Sequence, residues 1–335
     1  MTTLWIGIDM AKASLVAVAL WETENVSLGE FTNDQTGFVA LAAQVAVQQA
    51  QRGAVAVHWI VEPTGSYELP LVSFAHEEGV SLSLPNPRQV RQWAKGSGQR
   101  AKTDRQDALL LARFGAAQQP APQRPLAVEV SELDSLLQRR QDLEQMVQQE
   151  KNRIEALRGR PGIASPVIAN LERVIQALQE ALQEVERAIA DHQRQHAHLH
   201  QDAQRLLALP GVGPKVVLPL LVQLHRWQTL TAGQGTSKGL TALVGLDPQP
   251  YESGRSVRKR SSISKMGNAT LRRLLYMGAL SAVHGQNPLH PFYQRLVARG
   301  KAKKLVVVAA ARKLLTWAWM LFSRQTDWNP EFHPL

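Results

Sequence analysis

A proline-rich stretch at residues 118–125, QQPAPQRP, sets the first limit on how this chain can fold. Proline fixes φ and offers no amide donor, so neither a helix nor a central strand runs through three prolines in eight residues. The stretch reads as a linker, and the apolar rhythm differs on its two sides. Before it, apolar runs are short and rich in β-branched residues. They predict strands at residues 4–9, 13–20, 26–31, 54–61 and 80–84, with helices at 37–51, 67–78, 87–93 and 104–114. In chain order this is three strands, a helix, a strand, a helix, a strand and two helices.

After the linker the rhythm becomes helical. A first long helix is expected to begin at Ser131, with Asp134 three residues on completing a capping box. A second is expected to begin with Ser165 as N-cap and Pro166 at the first helical position. RGRPG at residues 158–162 separates the two. The second helix carries Leu171, Val174, Leu178, Leu182, Val185 and Ile189, at spacings of 3, 4, 4, 3 and 4. That is a heptad-like seam. It packs either within the chain as a hairpin or between chains as a dimerising coiled coil, and spacing alone does not choose. Further on, LPGVGPK at residues 209–215 interrupts two helices. Helices follow at 237–243, 269–283 and 303–322, with a loop through 247–265. The expected divisions are residues 1–117, a linker at 118–130, a helical region at 131–201 and a last domain at 202–335.

Charge separates the same regions. Residues 1–124 hold 10 Lys/Arg and 11 Asp/Glu, net −1; residues 125–199 hold 9 and 12, net −3; residues 200–335 hold 19 and 5, net +14. The whole net charge of +10 therefore comes from the last third. A basic region beside two near-neutral ones suits a polyanion such as nucleic acid better than a uniformly cationic surface would. Cysteine is absent, which excludes disulfides and thiolate metal sites and fits a cytoplasmic location. The start of the chain carries no secretory signal pattern. The longest apolar stretch, 305–322, has Arg312 and Lys313 at its centre, so a packed helix is expected there and no membrane span.

Four carboxylates stand where chemistry is plausible. Asp9 ends one apolar strand, in GID, and Glu62 ends another, in VEP. If those strands are neighbours, both carboxylates meet at the sheet end where open α/β folds place their sites. Asp104 and Asp107, three apart in KTDRQD, share one face if helical. Each has an ordinary alternative: Asp104 as a helix N-cap, Asp107 as the solvated partner of an arginine. Four oxygen donors without a thiolate suit a hard cation, Mg²⁺ or Mn²⁺. Such ions can serve phosphoryl transfer.

The segments GIDMAK, VEPTGSYE and KTDRQDA, in this order and spacing, resemble the N-terminal domain of the DEDD transposases of the insertion-sequence 110 family, which includes the Piv-type DNA invertases. LPGVGPK, ALVGLDPQPYESGRSVR, SKMGNATLRRLLYM and GKAKKLVVVAAARKL resemble the C-terminal part of the same proteins. The resemblance spans nearly the whole chain and is weakest in the helical middle. It implies an α/β RNase H-like (RuvC-like) N-terminal domain, a helical coiled-coil middle, and a mainly α C-terminal transposase domain with a helix-hairpin-helix-like turn. It implies metal-binding and catalytic roles for Asp9, Glu62, Asp104 and Asp107, and a nucleophilic role for Ser253. Arg255, Arg258, Lys259, Arg260 and Lys265 follow Ser253 closely and are candidate phosphate contacts. Lys102, Arg105, Gly211, Gly213, Lys215, Arg272 and Arg273 complete the candidate nucleic-acid set. The two glycines would let backbone N–H groups approach a phosphate.

The resemblance further implies a phosphoserine intermediate, donor and target DNA as substrates, a homodimer or homotetramer, and nucleoid association during activity. It also implies a structured non-coding guide (bridge) RNA, although no RNA-binding motif of the RRM or KH kind is visible. Two alternatives stay open at the level of sequence: a hydrolytic junction nuclease in which Ser253 is only a loop residue, and an invertase that needs no guide RNA.

Overall fold

The structure is a computed structural model. It describes residues 3–54, 56–65, 67–96, 103–253, 257–329 and 331, with only the backbone for 250–253 and 257–261. The chain divides into two compact units, Met1–Pro125 and Leu126–Leu335, and each is treated by itself.

The first unit runs β1 (Thr3–Met10), β2 (Ser14–Trp21), β3 (Glu24–Thr32), α1 (Gln35–Arg52), β4 (Ala56–Val61), α2 (Leu69–Glu77), β5 (Ser81–Ser83), α3 (Pro87–Gly96) and α4 (Asp104–Gln118). These are the expected elements in the expected order, with ends displaced by a few residues. The sheet order is β3-β2-β1-β4-β5. β1 to β3 form an antiparallel meander, while β4 joins β1, and β5 joins β4, in parallel. Alternation along each strand splits the side chains between two faces. Leu4, Ile6, Ile8, Trp59 and Val61 pack with Phe38 and Leu41 of α1 and Phe74 of α2. Ile60, on the opposite face, packs with Val90 of α3 and Leu111 and Phe114 of α4.

The second unit is helical apart from one hairpin. It contains α5 (Val128–Arg158), α6 (Ser165–Gln195), α7 (Ala197–Leu207), α8 (Pro214–Leu230), α9 (Ser237–Val244), β6 (Pro248–Ser253), β7 (Val257–Ile263), α10 (Ala269–Ala282), α11 (Leu289–Ala298) and α12 (Lys303–Arg324). α12 lies in the core, where Val306, Ala310, Leu314, Trp317 and Ala318 are buried. It is long and apolar enough to span a membrane by composition, yet most of it is buried within the protein. Lys313 fits there because its ammonium sits 5.0 Å from the Phe292 ring centroid and 5.2 Å from that of Trp317. Arg312 points to solvent.

Four details differ from the sequence reading. α5 starts at Val128, not Ser131, because Val130 and Leu133 are buried and draw the helix upstream; Ser131 lies inside its first turns and Ala127 caps it without a side-chain bond. α6 is capped by Ala164, so Ser165 is already helical. The segment expected as a loop at 247–265 contains the β6–β7 hairpin, a two-stranded antiparallel sheet among the described residues. α11 was not expected, although Leu289, Phe292, Tyr293, Leu296 and Val297 follow the helical apolar period; Leu289 is buried and Phe292 and Tyr293 pack half-buried against the core. α5 and α6 pack on each other, so the seam on α6 finds a partner within the chain. Leu171, Leu178, Leu182 and Val185 are half-buried there and Ile189 is buried, whereas Val174 is exposed.

Candidate active site

β1 and β4 run parallel in a register that ends on Ile8 opposite Val61. The next residues are Asp9 and Glu62, so the two carboxylates emerge side by side at the same end of the sheet. Asp9 shares a strand face with Gly7, and Glu62 has the same parity as Ile60. Both therefore belong to the face covered by α4.

The approach of α4 depends on Gly7. A Cβ built on Gly7 would lie 1.8 Å from the carbonyl oxygen of Ala108 and 2.5 Å from the amide nitrogen of Ala112. Helix backbone thus rests directly on strand backbone, two residues before Asp9. Ala108 and Ala112 are fully buried, and their small side chains allow the contact. Sequence reasoning missed Gly7, and no distinctive signal marks it apart from glycine within an apolar strand.

Thr103 is the N-cap of α4, its hydroxyl accepting from the Gln106 amide at 3.3 Å. Asp104 is therefore not the cap, and that ordinary reading of it is set aside. Asp104 and Asp107 occupy the first turn, where the helix dipole favours negative charge. Asp9, Glu62, Asp104 and Asp107 all line one cleft of about 730 Å³, together with Thr64, Arg91 and Leu111.

The four carboxylates are electrostatically coupled. Burial, and then the charges of Asp107, Asp104 and Glu62, push the Asp9 carboxyl up to about 6 from 3.8. A cation in the cleft would relieve this mutual repulsion, and the all-oxygen donor set suits a hard divalent ion. Arg91, another residue the sequence did not single out, reaches Glu62 at 3.7 Å with its side chain 75% exposed. At that distance and exposure it leaves Glu62 weakly neutralised.

The loops around the cleft are held from beneath. Buried Glu68 accepts from the Thr64 amide at 3.0 Å and the Thr64 hydroxyl at 2.8 Å, fixing the turn that follows Glu62. Asn33 donates to the carbonyls of Ala11 and Tyr67 at 3.1 and 3.0 Å, joining the loops that follow Asp9 and Glu62.

The candidates in the second unit are more dispersed. Ser253 is the last residue of β6 and pairs with Val257 of β7. Arg255 and Lys102 lie outside the described residues. Arg258, Lys259 and Arg260 lie along β7. Lys265 and Arg105 are exposed. Arg272 donates to the Val244 carbonyl at 2.9 Å, which gives it a structural task at the end of α9. Gly211, at φ +90°, meets α10 so closely that a Cβ would lie 2.3 Å from the Gly278 carbonyl oxygen. Its conformation and packing thus account for the residue without a phosphate. Gly213 caps α8 and its Cβ direction is open. Lys215 and Arg273 line one cleft of about 140 Å³ with Arg140 and Arg226. Arg226 is paired with Asp134 at 2.6 Å, whereas the buried Nε of Arg140 has no hydrogen-bond partner among the described residues.

Two family descriptions match the chain. Residues 6–157 match a transposase family described as the DEDD transposase of IS110, and residues 203–294 match the transposase IS116/IS110/IS902 family. The pilin gene-inverting proteins of Moraxella bovis and Moraxella lacunata are each 31% identical to the chain, over 99% of it and 100% of their own length. An uncharacterized 42 kDa protein of insertion element IS900 from Mycobacterium paratuberculosis is 25% identical over 50% of the chain and 40% of its own length. The chain belongs to the IS110 family of transposases. It is accordingly a recombinase, an enzyme that cleaves and rejoins DNA.

Proposed function

We propose that the first unit is the metal-dependent catalytic centre of this recombinase and that Ser253 is its nucleophile. The observation that carries the reading is the convergence of Asp9, Glu62, Asp104 and Asp107 on one cleft, with Asp9 pushed up to about 6. The sheet order β3-β2-β1-β4-β5 supports assigning the unit to the RNase H-like class. Asp9, Glu62, Asp104 and Asp107 would hold Mg²⁺ or Mn²⁺, which when bound supplies charge neutralisation at phosphoryl oxygens.

The serine step balances without ATP. The Ser253 Oγ–phosphorus bond forms as a phosphorus–oxygen bond to deoxyribose breaks, and the leaving oxygen takes up a proton as a strand-end hydroxyl. Attack by a second strand end reverses the exchange and releases the serine. The basic second unit would hold DNA, with Lys215 and Arg273 lining a phosphate-sized cleft and Lys265 exposed beside the hairpin. A homodimer or homotetramer would exchange donor and target strands, and a structured guide RNA would select them. The test is capture. Wild-type protein incubated with DNA from its native flanks and Mg²⁺ is expected to give a denaturation-resistant adduct at Ser253, lost in Ser253→Ala while DNA binding persists. Cleavage by Ser253→Ala at the wild-type rate would instead make the enzyme a hydrolytic nuclease.

A second reading is favoured by one finding. The relatives matched over their full length are gene-inverting proteins, whereas the IS900 protein is matched over 40% of its length. That likeness favours gene inversion as the reaction, and an invertase working without guide RNA is the corresponding reading. Sequencing RNA that co-purifies with the protein separates the two: a discrete transcript from the flanking DNA supports guidance, and bulk RNA alone supports inversion.

A further inference from the structure

The second unit holds a separate group of potential metal ligands. His192 lies in the last turn of α6 and His196, four residues on, stands at the α6–α7 junction. Their ring centroids are 4.4 Å apart. Glu132, near the start of α5, brings its Oε2 to 3.3 Å from the His192 Nε2. One ligand atom from each of the three lies within 4.8 Å of the others. The burial is graded, with the His192 side chain 8% exposed and that of Glu132 57%, so one side of the group is open to solvent.

A hydrogen bond alone explains this arrangement poorly. The His192–Glu132 contact is long for a charge-assisted bond. The other ring nitrogen of His192, Nδ1, is buried without a hydrogen-bond partner among the described residues, a costly state for a polar atom. Two imidazoles and one carboxylate form a donor set that suits a borderline transition ion and not Mg²⁺, which prefers oxygen. Three protein ligands with an open side match a tetrahedral Zn²⁺ ion completed by water.

We infer that Glu132, His192 and His196 form a Zn²⁺ site, distinct in chemistry from the carboxylate cleft, that clasps the start of α5 to the end of α6. Glu132 and His192 are 60 residues apart, so the ion would close the base of the long helical hairpin. A second histidine–glutamate contact, His198 to Glu129 at 3.4 Å, joins α7 to the same end of α5 and places further donors nearby.

The experiment uses the full chain, stripped of metal, exposed to Zn²⁺ and desalted. Wild type is expected to retain one equivalent by elemental analysis. Its melting temperature should rise by about 5 °C or more at a hundredfold excess over Kd. Asp9→Ala should retain the same equivalent, which separates this site from the carboxylate cleft. His196→Ala and Glu132→Gln should each lose it, with circular dichroism matching wild type to show that they fold. Failure of wild type to retain zinc, or equal retention by both site variants, would overturn the inference.

Discussion

The carboxylate cleft of the first unit and the positive charge of the second are built in different ways. In the first, four like charges are forced together by backbone: two strand ends in parallel register and a helix seated on Gly7. The result is a perturbed carboxyl at Asp9 and a cleft suited to a cation. In the second, charge comes from many side chains spread over helices and a hairpin, several already engaged with the protein itself. Arg226 is paired with Asp134, and Arg272 caps α9. A site made by backbone geometry should fail sharply when one residue changes; a surface made by summed charge should fail gradually.

The largest effect should come from Asp9. Asp9→Ala is expected to lower strand cleavage by about 10²–10³-fold or more, the scale of losing a preorganised charge-stabilising group, while DNA affinity stays within a few-fold. Single-turnover cleavage and filter binding measure the two, and cleavage near the wild-type rate would dissolve the contrast. Next comes Gly7→Val, whose added carbon meets the Ala108 carbonyl. Stability should fall by about 1–3 kcal/mol, read from the urea midpoint, and cleavage should fall with it. Gly115→Ala meets only side-chain atoms of Ile60 and Trp5 and should cost less.

On the basic unit the expected changes are graded. Lys215→Ala and Arg273→Ala should each lower the slope of log affinity against log salt by about 1, with little effect on folding. Arg272→Ala should do the reverse. Losing its bond to the Val244 carbonyl should cost roughly 1.5 kcal/mol in the urea midpoint and leave the salt slope nearly intact.

The smallest effect is on pH dependence. Asp9 titrates near 6 in the folded protein and near 3.8 when unfolded, so between those values the folded state holds the extra proton. Metal-free stability attributable to Asp9 therefore falls as pH rises from about 4 to about 6 and is level above. Burial of His58 and His225 lowers their pKa values and acts in the opposite sense. The difference between wild type and Asp9→Asn isolates the Asp9 contribution. Melts at pH 4 to 7 should show it shrinking, and Mg²⁺ should stabilise wild type more at pH 7 than at pH 5.

Sequence alone settled the order of elements in the first unit, because short β-branched runs and proline and glycine boundaries are local facts. It also placed Asp9, Glu62, Asp104 and Asp107 as candidates, since Asp9 and Glu62 close apolar strands and Asp104 and Asp107, three apart, share one face at the start of a helix. The regional charge and the packed helix at 305–322 were legible too; Trp317 and Trp319 of that helix are buried in the helical core. The tertiary structure decided what depends on contacts distant in the chain. Strand register set Asp9 beside Glu62, and Gly7 admitted α4. Thr103 took the cap that Asp104 was free to occupy, and buried Val130 and Leu133 moved the start of α5. Glu132 met His192 across 60 residues of chain. Local pattern records which face a residue presents, whereas close approach is fixed by the partner, and the partner lies elsewhere in the sequence.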